Sequence, residues 1–328
     1  MHRPSIVVVT PALADANNGN WQTAHRWARL LTGAYRVRLA ARWDGGDEDL
    51  MIALHARRSA ASVQAWRERN AARPLLLVLT GTDLYRDIAT DTAAQRSLHA
   101  AAALVVLNER GAAALPPSLR SRAHVVLQSC SARRPLDHTT RHLRVLMVGH
   151  LREEKDPACY WRAAERLLHR SDICFDHVGA ALDPALGRAA EALAARHPRF
   201  RWLGARPHAE ARRRIQGAHL LVHASRIEGG AHVVIEALRS GTPVLASRID
   251  GNLGLLGADW PATFEAGDDA GLARLIERAR DEPAMLRDLR LRAAVRAPRF
   301  APQAESQALH ALVASLLEGA ASASRRTA

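Results

Sequence analysis

Nine consecutive residues, Glu228-Gly229-Gly230-Ala231-His232-Val233-Val234-Ile235-Glu236, put a carboxylate at each end of a segment that opens on a glycine pair. Paired glycines let backbone approach a ligand closely, and the residues after them read as a helix whose free N–H groups suit a phosphate. A carboxylate accepts two hydroxyl donors at once, which suits a sugar or ribose diol. Taken singly, Glu228 also reads as a helix N-terminal charge and Glu236 as part of a solvated helix face. A second cluster is Gly149-His150-Leu151-Arg152-Glu153-Glu154-Lys155, and Lys155 is the only lysine in the chain. Arginine offers a planar fork and lysine a compact, mobile point charge, so the single exception fits a site that needs the latter. The bland alternative is a surface ion pair with the preceding glutamates, which would matter little. A third set, in the first half, is Asn17-Asn18-Gly19-Asn20, His55-Ala56-Arg57-Arg58-Ser59 and Thr80-Gly81-Thr82-Asp83. Its polar and basic character suits a small, highly charged anion. Asp47-Glu48-Asp49 has a metal-holding Asp-x-Asp spacing, but it precedes a strand amid Gly45-Gly46 and reads as a solvated turn.

Short β-branched runs alternate with longer amphipathic segments from end to end, the pattern of parallel sheets with crossover helices. Strands are expected at 6–9, 37–40, 50–54, 75–79, 104–107 and 125–127, then at 145–148, 173–178, 200–203, 220–223 and 243–246. Helices are expected at 21–31, 157–168, 184–196 and 301–317. A polar break at 129–142 divides the series. The expected organisation is α/β, two Rossmann-like doubly wound parallel-sheet domains facing a cleft: 1–138 for an acceptor, 139–300 for a nucleotide donor. A C-terminal helix over 301–318 packs back on the first domain, and 319–328 forms a flexible tail. In open parallel sheets ligands bind beyond the carboxyl ends of the strands, and the candidate clusters fall in those loops.

With 328 residues the chain exceeds one ordinary core, and 48% hydrophobic with 24% charged residues excludes wholesale disorder. Its apolar runs fall far short of the ~20 residues that span a bilayer. The N-terminus runs directly into a strand, so no signal peptide is expected. Cys130, Cys159 and Cys174 are odd in number and lack metal-ligand spacing, which suits reduced thiols in the cytoplasm. A net charge of +13 invites a nucleic acid, yet the arginines are scattered and aromatics make up only 4% of the chain, too few for base stacking. The charge reads as an Arg-rich solvated surface, with neither nucleic acid nor membrane as partner. No Gly-x-Gly-x-x-Gly follows a strand and no Gly-x-Ser-x-Gly occurs, which disfavours dinucleotide enzymes and hydrolases.

The Glu228–Glu236 string, with Gly241-Thr242-Pro243-Val244 after it, resembles the Glu-x7-Glu motif of glycosyltransferase family 4. The resemblance implies the GT-B fold, with the donor nucleotide held mainly by the second domain. By position, Glu236 would hold the ribose hydroxyls, while Glu228, Gly229, Gly230, Ala231 and His232 would meet the sugar and phosphates. Gly149–Asp156 resembles that family's Gly-Arg-Leu…Glu-Lys-Gly loop, in which an arginine and a lysine grip the diphosphate. Lys155 aligns; His150 occupies the usual arginine position, which leaves Arg152 as its substitute.

More of the chain, from Thr10-Pro11 through Gly19-Asn20, Arg26-Trp27-Ala28, 53–59, 79–87, 149–157 and 177–184 to Ser247-Arg248-Ile249-Asp250-Gly251-Asn252, is similar to one subgroup, the selenosugar synthases of selenoneine biosynthesis. That similarity implies transfer of a sugar from a UDP-sugar, with UDP-N-acetylglucosamine expected, to the selenium of selenophosphate, without metal or cofactor. Lys155, Arg152 and Glu228 would be the catalytic residues. Gly149, Gly179, Arg226, Gly229, Gly230, Ala231, His232 and Glu236 would bind the donor. Gly19, Asn20, His55, Arg57, Arg58, Thr82 and Asp83 would bind the acceptor. A selenophosphate synthetase and a downstream selenoneine synthase would be functional partners. A family 4 enzyme with a hydroxyl acceptor in glycan assembly, and a non-catalytic basic nucleotide- or nucleic-acid-binding protein, are the alternatives.

Overall fold

A computed structural model describes residues 3–11 and 19–327, with side chains to 322. The chain divides into two compact units. The first comprises Met1–Ser129, Glu228–Gly230 and Pro302–Ala328; the second comprises Cys130–Ile227 and Ala231–Ala301. The division after Ser129 precedes the expected boundary at 138.

In the first unit the elements run β1 (Ser5–Val9), α1 (Gly19–Leu31), β2 (Arg36–Ala40), β3 (Leu50–Leu54), α2 (Ala60–Arg69), β4 (Leu75–Leu79), a wide π-type turn (Asp83–Asp87), α3 (Ile88–Thr90), α4 (Thr92–Ala100), β5 (Ala103–Val106) and β6 (Ala123–Val125). Their six strands form one parallel sheet in the order β2-β1-β3-β4-β5-β6. Continuous apolar runs such as β3, LMIAL, and β4, LLLVL, are buried at every position, as strands covered on both faces must be. Alternate residues feed two cores. Val7, Met51 and Leu77 pack with Trp66 of α2 and Leu98 of α4, whereas Val8, Ile52 and Leu76 pack with Trp27 and Leu31 of α1.

In the second unit the order is β7 (Leu143–Val148), α5 (Pro157–Arg166), β8 (Ile173–Val178), α6 (Pro184–Arg196), β9 (Phe200–Trp202), α7 (His208–Gly217), β10 (Leu220–His223), α8 (His232–Leu238), β11 (Val244–Ser247), α9 (Asp250–Leu256), β12 (Thr263–Phe264), α10 (Asp269–Asp281) and α11 (Pro283–Arg296). Its strands form a second parallel sheet, β12-β11-β10-β7-β8-β9. Because every pairing is parallel, each sheet gathers the loops after its strands along a single edge.

The final helix α12 (Pro302–Thr327) belongs to the first unit and replaces the tail expected from 319 onward. Leu309, Leu312 and Val313 join the core around Trp27. Glu305, 1% exposed, sits in the same unit. It accepts from Arg26 Nε at 2.8 Å, Arg26 Nη2 at 3.0 Å, Trp27 Nε1 at 2.7 Å, Ser129 N at 2.9 Å and Ser129 Oγ at 2.5 Å.

Candidate functional site

In the second unit, the loop after β7 is shaped from below. Gly149 N donates to Val178 O and Leu151 N to Ala180 O, both at 2.8 Å, so the loop continues alongside the end of β8. A Cβ on Gly179 would stand 1.8 Å from Gly149 O, so only glycine lets the two segments pass. Gly179, expected to touch the donor, therefore positions the Gly149 loop. His177 lies beneath it. Trp161 Nε1 donates to His177 Nδ1 at 3.0 Å, which leaves the ring proton on Nε2 to donate to Gly149 O at 3.1 Å.

Burial lowers the His177 pKa to about 4, and the hydrogen bond to Gly149 only partly opposes it. The unfolded chain protonates this ring near its ordinary 6.5, so between these values the unfolded state binds more protons and stability rises with pH. Acidification from pH 6.5 to 4 is expected to remove about 3 kcal/mol through His177. Urea unfolding of the wild type and His177→Gln across this window checks it. The variant loses that share of the slope; equal slopes would contradict the assignment.

Lys155 closes a short 3-10 turn, Glu153–Lys155, and is half-buried. Its stem runs beside Gly149, where a Cβ would lie 3.7 Å from Lys155 Cγ and Cδ. Asp156 follows in the left-handed conformation, φ +44°, a conformation that glycine adopts without cost. Here the aspartate is held there by its other bonds: it caps α5 by accepting from Cys159 N at 3.2 Å and takes Arg226 Nε at 2.9 Å. Arg226 N also donates to Glu154 O at 2.9 Å, which ties the loop after β10 to that after β7. His150 accepts from Ala180 N at 3.1 Å, and burial, followed by the charges of Arg152 and Lys155, lowers its pKa. It is thus neutral at pH 7 and supplies no charge at this position, whereas the exposed Arg152 carries one.

Ala231 precedes α8, and His232 opens it. Glu236, one turn on, is only 2% exposed, so it is no solvated face. Its Oε1 lies 2.5 Å from His208 Nε2, 3.2 Å from His232 Nδ1 and 3.8 Å from Arg212 Nε. Burial pushes its pKa up, but hydrogen bonds from His208 and His232 prevail and hold it at about 2, a carboxylate at any working pH. His208 and Arg212, one turn apart on α7, were not anticipated; the sequence shows only a polar helix start after Pro207.

Glu228, Gly229 and Gly230 group with the first unit. A Cβ on Gly229 would meet Thr80 C and O at 2.4 Å, and one on Gly230 would meet Leu107 Cβ at 2.8 Å. Asn108 Nδ2 donates to Gly229 O at 2.7 Å. The close approach that these glycines permit is to protein backbone and core, a correction to the ligand-approach reading. Glu228 is buried, at 9% exposure.

In the loop after β3, His55 is buried at φ +71°. It accepts from Arg58 N at Nδ1, 3.4 Å, which leaves Nε2 to donate to Thr82 Oγ1 at 3.1 Å. Burial lowers its pKa, and the charge of Asp83 only partly opposes this, so the ring is neutral. Asp83, expected to bind the acceptor, has 0% exposure and accepts from Ala56 N, Thr80 N and Gly81 N at 2.8–2.9 Å. Its oxygens hold the loops after β3 and β4 together. Arg57 and Arg58 are exposed, with Arg57 Nη1 3.5 Å from Asp87. Gly19 and Asn20 open α1 rather than lying in a loop; Asn17 and Asn18 lie outside the described residues.

The Asp47-Glu48-Asp49 carboxylates point to different partners. Asp47 pairs with Arg73 at 2.6 Å, Glu48 takes Arg38 and Trp43, and Asp49 takes Ser5 N at 2.8 Å. Glu48 and Asp49 are committed to the first unit's framework, and Asp47 forms an exposed ion pair. Among the described residues no helix is long and apolar enough to cross a membrane.

Among solved structures, the chain is similar to sucrose-phosphate synthase from Thermosynechococcus elongatus, with 17% identity, TM-score 0.79, and 97% of this chain and 100% of that one covered. It is similar to Anabaena HepE, solved with UDP and glucose, at 15% identity and TM-score 0.75, covering 96% and 100%. It is also similar to S. aureus TarM, at 13% identity and TM-score 0.66, covering 82% of this chain and 54% of that one. These likenesses give the fold, two Rossmann-like parallel-sheet units of the GT-B kind. No curated protein matches. The profile of the glycosyl transferases group 1 matches residues 131–296, just over half of the chain, and takes in both the Gly149 loop and the Glu228–Glu236 string. The chain belongs to the glycosyl transferases group 1 family.

Proposed function

We propose that this glycosyltransferase joins the selenium of selenophosphate to C1 of a UDP-sugar, UDP-N-acetylglucosamine by preference, in the cytoplasm. The selenium lone pair attacks C1, the C1–O bond to UDP breaks, and UDP leaves with that electron pair. Water then cleaves Se–P to give phosphate and a 1-selenosugar for a downstream selenoneine synthase, with a selenophosphate synthetase supplying the acceptor. The observation that carries this reading is the acceptor-side loop pair of the first unit. Its buried, neutral His55 beside Thr82, with exposed Arg57 and Arg58 next in sequence, is polar and basic where a glycan or lipid acceptor would call for apolar or aromatic surface. HepE solved with UDP and glucose, and a pneumococcal O-GlcNAc transferase solved with UDP and GlcNAc, support the UDP-sugar donor.

In this account Glu236 accepts from the ribose hydroxyls, and Lys155, Arg152 and Arg226 stabilise the diphosphate as it departs, with no metal required. Glu228, Ala231 and His232 serve the sugar and phosphates, while Gly229 and Gly230 seat the string against Thr80 and Leu107. Selenophosphate is a strong nucleophile, so no general base is assigned. Its phosphate oxygens fall to Asn20, Thr82, Arg57 and Arg58, with Gly19 giving room and Asp83 holding the loops.

Release of UDP from UDP-N-acetylglucosamine, measured with and without selenophosphate in excess chelator, tests the reaction. Release only when both substrates are present supports it; release only with a glycan hydroxyl acceptor supports glycan assembly, and none at all a binding protein. Calorimetry and kinetics test the residues. Glu236→Ala is expected to weaken UDP binding by about 1.5–3 kcal/mol, the value of charge-assisted bonds. Arg57→Ala and Arg58→Ala are expected to raise KM for selenophosphate with UDP affinity near wild type. Equal loss of UDP affinity in all three would contradict the division of labour.

A further inference from the structure

The Glu236 carboxylate has more nitrogen around it than a ribose acceptor needs. His232 and Glu236 stand four residues apart on α8 and so share one face, and His208 at the start of α7 turns Nε2 to the same oxygen. One ligand atom from each of the three lies within 4.8 Å of the other two. Tetrahedral coordination at about 2.0–2.2 Å separates neighbouring ligand atoms by roughly 3.3 Å. The adjustment required is a small rotation, and His208, whose side chain is 53% exposed, is free of the core packing that would resist it.

We propose that His208, His232 and Glu236 form a site for one divalent transition-metal ion of the zinc type, and that its occupation withholds Glu236 from the nucleotide. The inference rests on the reading that Glu236 serves the ribose, and adds a regulation to it. Two imidazoles and one carboxylate suit Zn²⁺, Co²⁺ or Ni²⁺, whereas Mg²⁺ and Ca²⁺ favour oxygen ligands throughout. Three protein ligands leave a coordination position for water. Arg212, anchored by Nη2 to Ser131 O at 2.9 Å, keeps its Nε 3.8 Å from Glu236 Oε1. That fixed positive charge opposes the ion, so binding is reversible and the nucleotide competes with it. A bound ion inhibits by occupying the carboxylate and takes no part in the transfer.

Co²⁺ is the direct probe, because its visible absorption reports four- or five-coordinate nitrogen and oxygen ligation. Titration of the metal-free full chain is expected to give a visible band that saturates at one ion per chain and that excess UDP abolishes. His208→Ala and His232→Ala are each expected to weaken Co²⁺ binding at least roughly 10–100-fold, since loss even of an outer-shell partner costs that much. Zn²⁺ is expected to raise KM for the UDP-sugar with kcat unchanged. Absence of the band, its survival in the double histidine variant, or its indifference to saturating UDP would overturn the proposal. UDP calorimetry on Glu236→Gln in excess chelator isolates the underlying reading. Unchanged UDP affinity there refutes the ribose role, and the inhibition with it, while the Co²⁺ band still decides the metal site.

Discussion

Lys155→Arg is expected to lower kcat by roughly 10²-fold or more, the usual cost of losing one preorganised transition-state charge contact. The charge survives the substitution; the geometry does not. Lysine's single ammonium is replaced by a guanidinium whose planar fork is wider and whose charge is spread over three nitrogens. The surroundings allow little accommodation. The stem runs beside Gly149, that glycine's carbonyl is held by His177, and Gly179 leaves no room for the loop to sink. Asp156, with its cap on α5 and its bond to Arg226, fixes the other end. Single-turnover kinetics would separate this chemical loss from UDP release. Near-normal turnover would show that the chain's one lysine serves no chemistry.

Glu305→Ala is expected to destabilise the protein by about 3–5 kcal/mol, the range for breaking a buried ion pair from one side. The substitution takes the carboxylate partner from Arg26, whose side chain is only 20% exposed, from the Trp27 indole N–H and from the Ser129 N–H. Each buried donor left without a partner adds its own desolvation cost. Glu305→Gln keeps the shape and part of the bonding, and falls between wild type and alanine. Urea unfolding followed by tryptophan fluorescence reads the effect, since Trp27 is itself one of the partners. An alanine variant within about 1 kcal/mol of wild type would mean that the carboxylate's desolvation cost already cancels its bonds.

The parts of this molecule legible from sequence are those set by local periodicity. β3, β4, β8, β10 and α6 stand at the residues where the apolar runs and the helical pattern place them. β5 and β6 are displaced by one or two residues, because Leu107 and Val126 are buried just beyond the ladder and hydrophobicity alone does not distinguish the two conditions. β12 is two residues long and carries no readable pattern. Alanine richness conceals how far α12 runs, since alanine suits a helix and a frayed end alike.

The candidate site divides in the same way. The Glu228–Glu236 string and the Lys155 loop are contiguous, so their spacing is visible. What surrounds them comes from afar: His208 meets Glu236 across 28 positions, and Arg26 meets Glu305 across 279. Asp83 shows the converse. A loop aspartate after a strand looks available to a ligand, but Thr80 N–H and Gly81 N–H bind it within its own loop, and Ala56 N–H joins them once β3 and β4 lie side by side. His150 stands where the family's loop has an arginine, and only the fold shows that Ala180 N occupies its Nδ1.

Product analysis tests formation of the carbon–selenium bond itself. The protein is incubated with UDP-N-acetylglucosamine and selenophosphate, and the products are resolved by mass spectrometry, in which selenium's isotope pattern is unmistakable. The expected product is an N-acetylglucosamine derivative carrying one selenium atom, formed in step with equimolar UDP and phosphate. UDP accompanied only by selenium-free sugar would contradict it.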